Sequence, residues 1–200
     1  MVQLEMMNST PPFILASSSP RRRGLLRDAG FIFDVIGIDV DETHPEGLSP
    51  IETVEFVALK KLAAGNEWLA KFLVITADTL VFKDGTIYGK PNDRPHAIEM
   101  LNNLSNSRHT VATSVCLGYK DQVHQLTVST HVDFALLSKD EIEYYVDHYI
   151  PFDKAGSYGI QEWIGQIGIK KIDGSYTNVV GLPMHETYHA IIDFSNKWLP

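Results

Sequence analysis

Cysteine is nearly absent from this chain: Cys116 is the one cysteine in 200 residues. A single thiol closes no internal disulfide, which excludes a disulfide-framed scaffold and suits a reducing compartment. Cys116 lies in an alternating apolar segment, so a core residue is expected there and not a nucleophile. No apolar run approaches the length that a bilayer demands, so no membrane partner is expected. Met1-Val-Gln-Leu-Glu-Met-Met7 has neither a basic start nor an apolar stretch; no secretory leader is expected, and a cytoplasmic location is. Positive charge is the scarcer sign, with 17 Lys and Arg against 25 Asp and Glu and a formal net charge of −8. That balance argues against nucleic acid as a partner, which calls for a basic face. Repeats and low-complexity linkers are missing, so residues 1–200 read as one domain, with 1–12 expected to be a loose extension.

What is present centres on Phe13–Gly30. Phe13-Ile-Leu-Ala16 is a short apolar run, read as a buried strand. Ser19 suits a helix N-cap, Pro20 suits the first helical position, and Gly30 suits the stop. A strand, a serine loop and a helix start leave backbone N–H groups and the positive end of the dipole facing the loop. Arg21, Arg22 and Arg23 then crowd the first turn, where the dipole disfavours cations. An anion held by Ser17, Ser19, Arg21 and Arg22 would relieve that conflict, and guanidinium suits phosphate oxygens. The glycine-rich loop G-x-x-x-x-G-K-[ST] is absent, so this cradle is of another kind.

Further on, Phe31–Asp39 alternates as a second strand, and the loop Asp39–Gly47 carries four carboxylates. Ser49-Pro50-Ile51-Glu52 is a capping box opening a helix that carries Lys60 and Lys61. Phe72–Asp78 is a near-continuous apolar run, expected to be a central strand ending at the carboxylate. Thr79–Phe82 and Thr86–Tyr88 flank a Lys83-Asp84-Gly85 turn, and Asp93 can cap the next helix. His109–Tyr119 and Val123–Leu137 read as an antiparallel pair, and Ser138–Glu141 is a second capping box. Gly165–Tyr176 holds a strand with an Asp173-Gly174 turn, and Pro183–Leu199 closes the chain as a helix. Helices interleaved with strands and hairpins make a mixed α/β sheet flanked by helices.

Asp78, at the expected strand end, and Glu42, in the acidic loop, are the candidate catalytic pair. Two carboxylates can hold Mg²⁺ or Mn²⁺ and activate a water, while Arg and Lys neutralise growing phosphate charge. Gln161, in the glycine-punctuated loop Gly156–Gln161, offers an amide with the donor and acceptor that a uracil or thymine edge needs.

S-x-S-P-R-R after an apolar strand resembles the N-terminal signature of the Maf family of nucleotide pyrophosphatases. The match continues through Ala77–Thr79, Gly89-Lys90-Pro91, Asp153–Gln161, Gly174–Tyr176 and Val180–Pro183, nearly the whole chain in order. The resemblance implies an elongated central sheet in two lobes with a cleft between them, and a metal-dependent enzyme releasing pyrophosphate from nucleoside triphosphates. It implies Asp78 as proton acceptor, Lys61 and Lys90 as phosphate contacts, and Glu42 as the second carboxylate. Arg21, Thr79 and Gln161 resemble the branch acting on dTTP and UTP. The alternatives are the same chemistry on another base such as 7-methyl-GTP, or a non-catalytic regulator of septum formation. A homodimer is left open. One motif points elsewhere: His185-Glu-Thr-Tyr-His189 satisfies H-E-x-x-H, the zinc-protease pattern. No His, Glu or Cys follows it to supply a third ligand, so it is read as an accident of a closing helix.

Overall fold

The computed structural model describes residues 11–199; most of the expected N-terminal extension therefore lies outside the described residues. In order, the elements are β1 (Phe13–Ala16), α1 (Pro20–Asp28), β2 (Phe33–Ile36), α2 (Pro50–Ala64), α3 (Asn66–Leu69), β3 (Val74–Lys83) and β4 (Thr86–Tyr88). There follow α4 (Arg94–Leu104), β5 (Arg108–Tyr119), β6 (Gln122–Phe134), α5 (Lys139–Tyr149), α6 (Trp163–Gly168), β7 (Ile169–Asp173), α7 (Tyr176–Val180) and α8 (Met184–Trp198). Among the described residues the strands form a seven-stranded sheet, ordered β2-β1-β3-β5-β6-β7, with β4 paired to β3 off that path. This is the mixed α/β sheet that the interleaving of elements predicts. The chain divides into two compact units, residues 1–78, 113–128 and 181–200 in one, and 79–112 and 129–180 in the other.

In the first unit β1 pairs in parallel with both β2 and β3, Leu15 lying opposite Val35 and Ile75. Side chains alternate across a strand, and here both faces are covered. Phe13 and Leu15 join Ile75, Leu117, Ile191 and Phe194 on one side. Ile14 and Ala16 join Ala58, Leu62, Val74 and Cys116 on the other. That is why the strand reads as an unbroken apolar run. Phe13 stacks on Phe33 at 5.5 Å and meets Phe31 edge-on at 5.6 Å. Cys116 is buried as expected, and burial pushes its thiol up to about 12 against a hydrogen bond from Thr76.

The second unit gathers its own core from α4, α5, the far ends of β3, β5 and β6, and the segment Tyr158–Ile164. Its turns use left-handed backbone where the sequence signals it: Asp84 at φ 50 and Gly85 at φ 79 join β3 to β4. His109 is packed edge-on against Phe134 and Tyr158, and its Nε2 is 2.7 Å from the Tyr158 hydroxyl.

Two boundaries differ from the sequence reading. β2 is four residues long, because Phe31 turns into the core and the chain leaves the sheet at Gly37. β3 does not end at Asp78; it runs on to Lys83, since β4 supplies partners for Val81–Lys83. Asp78 therefore sits in mid-strand, fixed by ladder geometry.

Candidate functional site

The serine loop is built as its sequence suggests, but one arginine is spent on holding it. Ser19 caps α1 by accepting the Arg22 amide at 3.5 Å, and Ser17 Oγ accepts the Ser19 amide at 3.3 Å. The Arg22 guanidinium donates to Ser17 Oγ at 3.3 Å, to the Ala77 carbonyl at 2.8 Å and to the Gly181 carbonyl at 2.9 Å. A single fork thus ties the loop to the residue preceding Asp78 and to the start of the Gly181–Pro183 turn. Burial lowers the Arg22 pKa; Asp78 and Glu42 pull it upward, and neighbouring Arg21 lowers it further. An arginine stays protonated under such pressure, so Arg22 is a permanent cation beside the two carboxylates. Arg21 lies half-buried in the same first turn.

Lys61, in the last turn of α2, settles which lysine of the pair belongs here. Its Nζ is 2.6 Å from Asp78 Oδ1 and 2.8 Å from Glu42 Oε1. Lys60 instead donates to the Thr43 carbonyl at 3.0 Å and reaches Asp41 at 4.0 Å, pinning the acidic loop to the helix. Thr43 in turn hydrogen-bonds both oxygens of Asp41, and that turn delivers Glu42 to Lys61. Asp78 is 7% exposed, too buried to carry its charge alone; a single ammonium shared by two carboxylates makes the position tolerable.

The same triad is a test of the expected metal. A cation already lies between Glu42 and Asp78, in the form of the Lys61 ammonium. Among the described residues no third His, Cys, Asp or Glu completes a protein-only cage. Mg²⁺ needs no such cage: it commonly takes one or two carboxylates and keeps waters and substrate phosphate oxygens as its other ligands. The donor set fits a hard divalent cation.

The remaining expected residues belong to the second unit. Thr79 follows Asp78 on β3 and is half-buried. Lys90 is exposed, between Gly89 and the buried Pro91. The Gly89 carbonyl accepts the Gly156 amide at 3.1 Å, so the Gly89–Pro91 and Asp153–Gln161 motifs are fastened to each other. Gly156 makes that approach possible: it sits at φ 69, and a Cβ there would meet Val81 at 3.0 Å. Gln161 is exposed and lines a pocket of about 400 Å³ with Ile160, Gly165 and Tyr176. Behind it runs a network that the sequence did not announce. Lys154 bridges Asp153 at 2.7 Å and Glu162 at 3.2 Å, and the Tyr145 hydroxyl donates to Glu162. A lysine between an acid and a glycine turn was the available signal, but its partner Glu162 and the tyrosine are distant in sequence.

The family model for Maf-like proteins matches residues 12–194. This chain belongs to the Maf family. A Maf relative from Bacteroides fragilis, a dTTP/UTP pyrophosphatase, is 47% identical over 180 residues, covering 89% of this chain and 93% of the relative. The dTTP/UTP pyrophosphatase of Flavobacterium psychrophilum is 47% identical over 181 residues, covering 90% and 93%. A solved HAM1 protein from Coxiella burnetii covers 93% of this Maf chain at 14% identity with a TM-score of 0.45, a likeness too loose to bear on the site. In this Maf protein the H-E-x-x-H residues fall on α8, where the His185 and His189 rings lie 4.9 Å apart. Among the described residues neither histidine joins a group of three metal-binding side chains.

Proposed function

We propose that this Maf protein hydrolyses dTTP and UTP to the nucleoside monophosphate and pyrophosphate. The observation that carries the reading is the Glu42–Lys61–Asp78 triad beside Arg22, in a chain 47% identical over most of its length to dTTP/UTP pyrophosphatases. Water adds to phosphorus, its proton passes to Asp78, and the bond between the α-phosphorus and the bridging oxygen breaks as pyrophosphate leaves. Lys61 donates to Asp78 Oδ1 at 2.6 Å, which fixes the carboxylate that accepts that proton. Once triphosphate is bound, Lys61 and Arg21 supply positive charge to the phosphate oxygens. Arg22 holds Ser17 and the Ala77 carbonyl in place, which preserves the orientation of the neighbouring Asp78. Ser17 and Ser19 present the loop, and Lys90 is assigned to the phosphate tail. Thr79 and Gln161 are assigned to the base, with the Gln161 amide pairing the pyrimidine edge. Glu42 and Asp78 would hold Mg²⁺ or Mn²⁺, which when bound supplies charge neutralisation and a more acidic water.

Among the described residues no helix is long and apolar enough to cross a membrane; the lone buried thiol supports a cytoplasmic setting. Pyrophosphate release across a panel of triphosphates, including 7-methyl-GTP, with and without Mg²⁺ or Mn²⁺, tests the reading. Preferential cleavage of dTTP and UTP that requires the divalent ion is the expected result. Turnover confined to another base would replace the substrate, and no release on any nucleotide would remove the activity.

A further inference from the structure

We propose that Tyr145 is the positioning residue for Gln161, its hydroxyl fastening the turn on both sides of the base-reading amide. The inference rests on the reading of Gln161 as the side chain that pairs the pyrimidine. Tyr145 accepts the Gly159 amide at 3.0 Å and donates to the Glu162 carboxylate, so one oxygen holds the residues that flank Ile160 and Gln161. The backbone closes the same turn, with the Glu162 amide on the Gly159 carbonyl at 3.0 Å and the Gly165 amide on the Glu162 carbonyl at 3.0 Å. Gln161 itself is exposed, whereas Tyr145 is fully buried on α5, its ring stacked on Tyr149 at 5.1 Å. Tyr145 reaches no substrate; it acts through the turn.

Three further features belong to the same device. Lys154 lies 3.2 Å from Glu162, so the carboxylate that Tyr145 grips has a counter-charge. Burial, reinforced by the Glu162 hydrogen bond, raises the Tyr145 pKa and keeps the hydroxyl a donor. Gly159 leaves the space in which this happens: a Cβ there would come within 2.7 Å of Glu162 Cδ and 3.0 Å of Gln161 Nε2. The amide of Gln161 is thus packed against the same glycine whose N–H the tyrosine holds.

The test compares wild type with Tyr145→Phe, which deletes one oxygen and keeps the ring. Without its anchor the turn samples other positions, and an amide out of register no longer rejects the wrong edge. The ratio of kcat/KM for dTTP and UTP to that for CTP should fall about 10-fold, mainly through KM, with kcat for dTTP changed far less. Glu162→Gln, at a side chain 19% exposed, keeps an acceptor for the hydroxyl but weakens the charged half of the anchor and its Lys154 pair, and serves where Tyr145→Phe folds poorly; it should show a loss of ratio in the same direction. Amide exchange provides an arm free of substrate: Gly159 should be protected in wild type and exchange at least ~10-fold faster in Tyr145→Phe. Unchanged ratios, an equal loss on every nucleotide, or Gly159 exchange indifferent to the hydroxyl would each overturn the inference. Wild-type protein that cleaves neither dTTP nor UTP would instead overturn the functional reading, while the exchange arm still reports on the anchor.

Discussion

At Asp78 the chain places a carboxylate in mid-strand at 7% exposure, and two cations, Lys61 and Arg22, surround it. Asp78→Asn keeps the shape and removes the base. Turnover of dTTP should fall at least ~100-fold, with triphosphate affinity by calorimetry largely retained. Folding should change little, because Lys61 keeps Glu42 as its partner at 2.8 Å. Near-native turnover in the asparagine variant would end the assignment of Asp78 as base. A second residue answers to pH. His109 is 2% exposed, and burial, helped by Lys83 and opposed by Asp133, lowers its pKa to about 4. The imidazole is neutral in the native protein, while the unfolded chain takes up a proton near pH 6.5. Its contribution to stability is therefore complete above pH 6.5 and is lost as pH falls toward 4, by up to about 3 kcal/mol. Denaturant melts at pH 7.5 and pH 5 should show this slope, and His109→Phe should flatten it. An identical slope in the variant would place the proton elsewhere.

Elements whose signals are local match the sequence reading, and those that need a distant partner do not. Ser49 with Glu52 and Ser138 with Glu141 form complete capping boxes, because both halves lie within one turn. Asp93 caps α4 by accepting the His96 amide at 2.9 Å, for the same reason. The hairpin of Thr79–Phe82 with Thr86–Tyr88 was legible from its local turn, but not that its first strand is continuous with the apolar run before Asp78, so that β3 spans Val74–Lys83. The resemblance singled out Lys61 over Lys60, but the partners of each were not legible, since they depend on where the acidic loop folds back onto α2. The bonds of Arg22 to the Ala77 and Gly181 carbonyls were not legible, because carbonyl acceptors leave no mark in a sequence and these lie 55 and 159 residues away. The turn carrying Gln161 adds a prediction of its own. A Cβ on Gly165 would lie 1.9 Å from the Ile160 carbonyl oxygen, a backbone atom that cannot swing aside. Gly165→Ala should cost about 3 kcal/mol and lower Tm by ~6–12 °C, with pyrimidine selectivity degraded in whatever protein remains folded. A calorimetric scan with Tm unchanged would show that the turn can relax around the methyl group.

On the scale of the whole molecule, the mixed sheet was legible because apolar runs, alternation and caps arrive in a readable order. The routing of the chain between the two units was not legible, since neither is a continuous stretch of sequence. The chain passes from one unit to the other after residues 78, 112, 128 and 180. Three of those passages fall inside β3, β5 and β6, where the backbone is continuous strand. Strands that run through both units couple their unfolding, because losing the ladder in one half leaves frayed, unpaired strand ends in the other. Scanning calorimetry should therefore give a single transition, with van't Hoff and calorimetric enthalpies in agreement. Two resolved transitions would show that the strands fray at the unit boundary. The same routing bears on how such a protein can change over generations. Recombination moves continuous lengths of gene, and because the first unit holds both ends of the chain, one crossover anywhere would make that unit a hybrid of two parents. Replacing one unit cleanly would require four junctions, three of them inside strands. A single crossover between Asp78 and Gln161 would take the Glu42–Lys61–Asp78 triad from one parent and Gln161 from the other, but it would leave the first unit split between the two. A base preference borrowed that way would arrive with a first unit assembled from two sequences, whose packing has to be restored by further substitution.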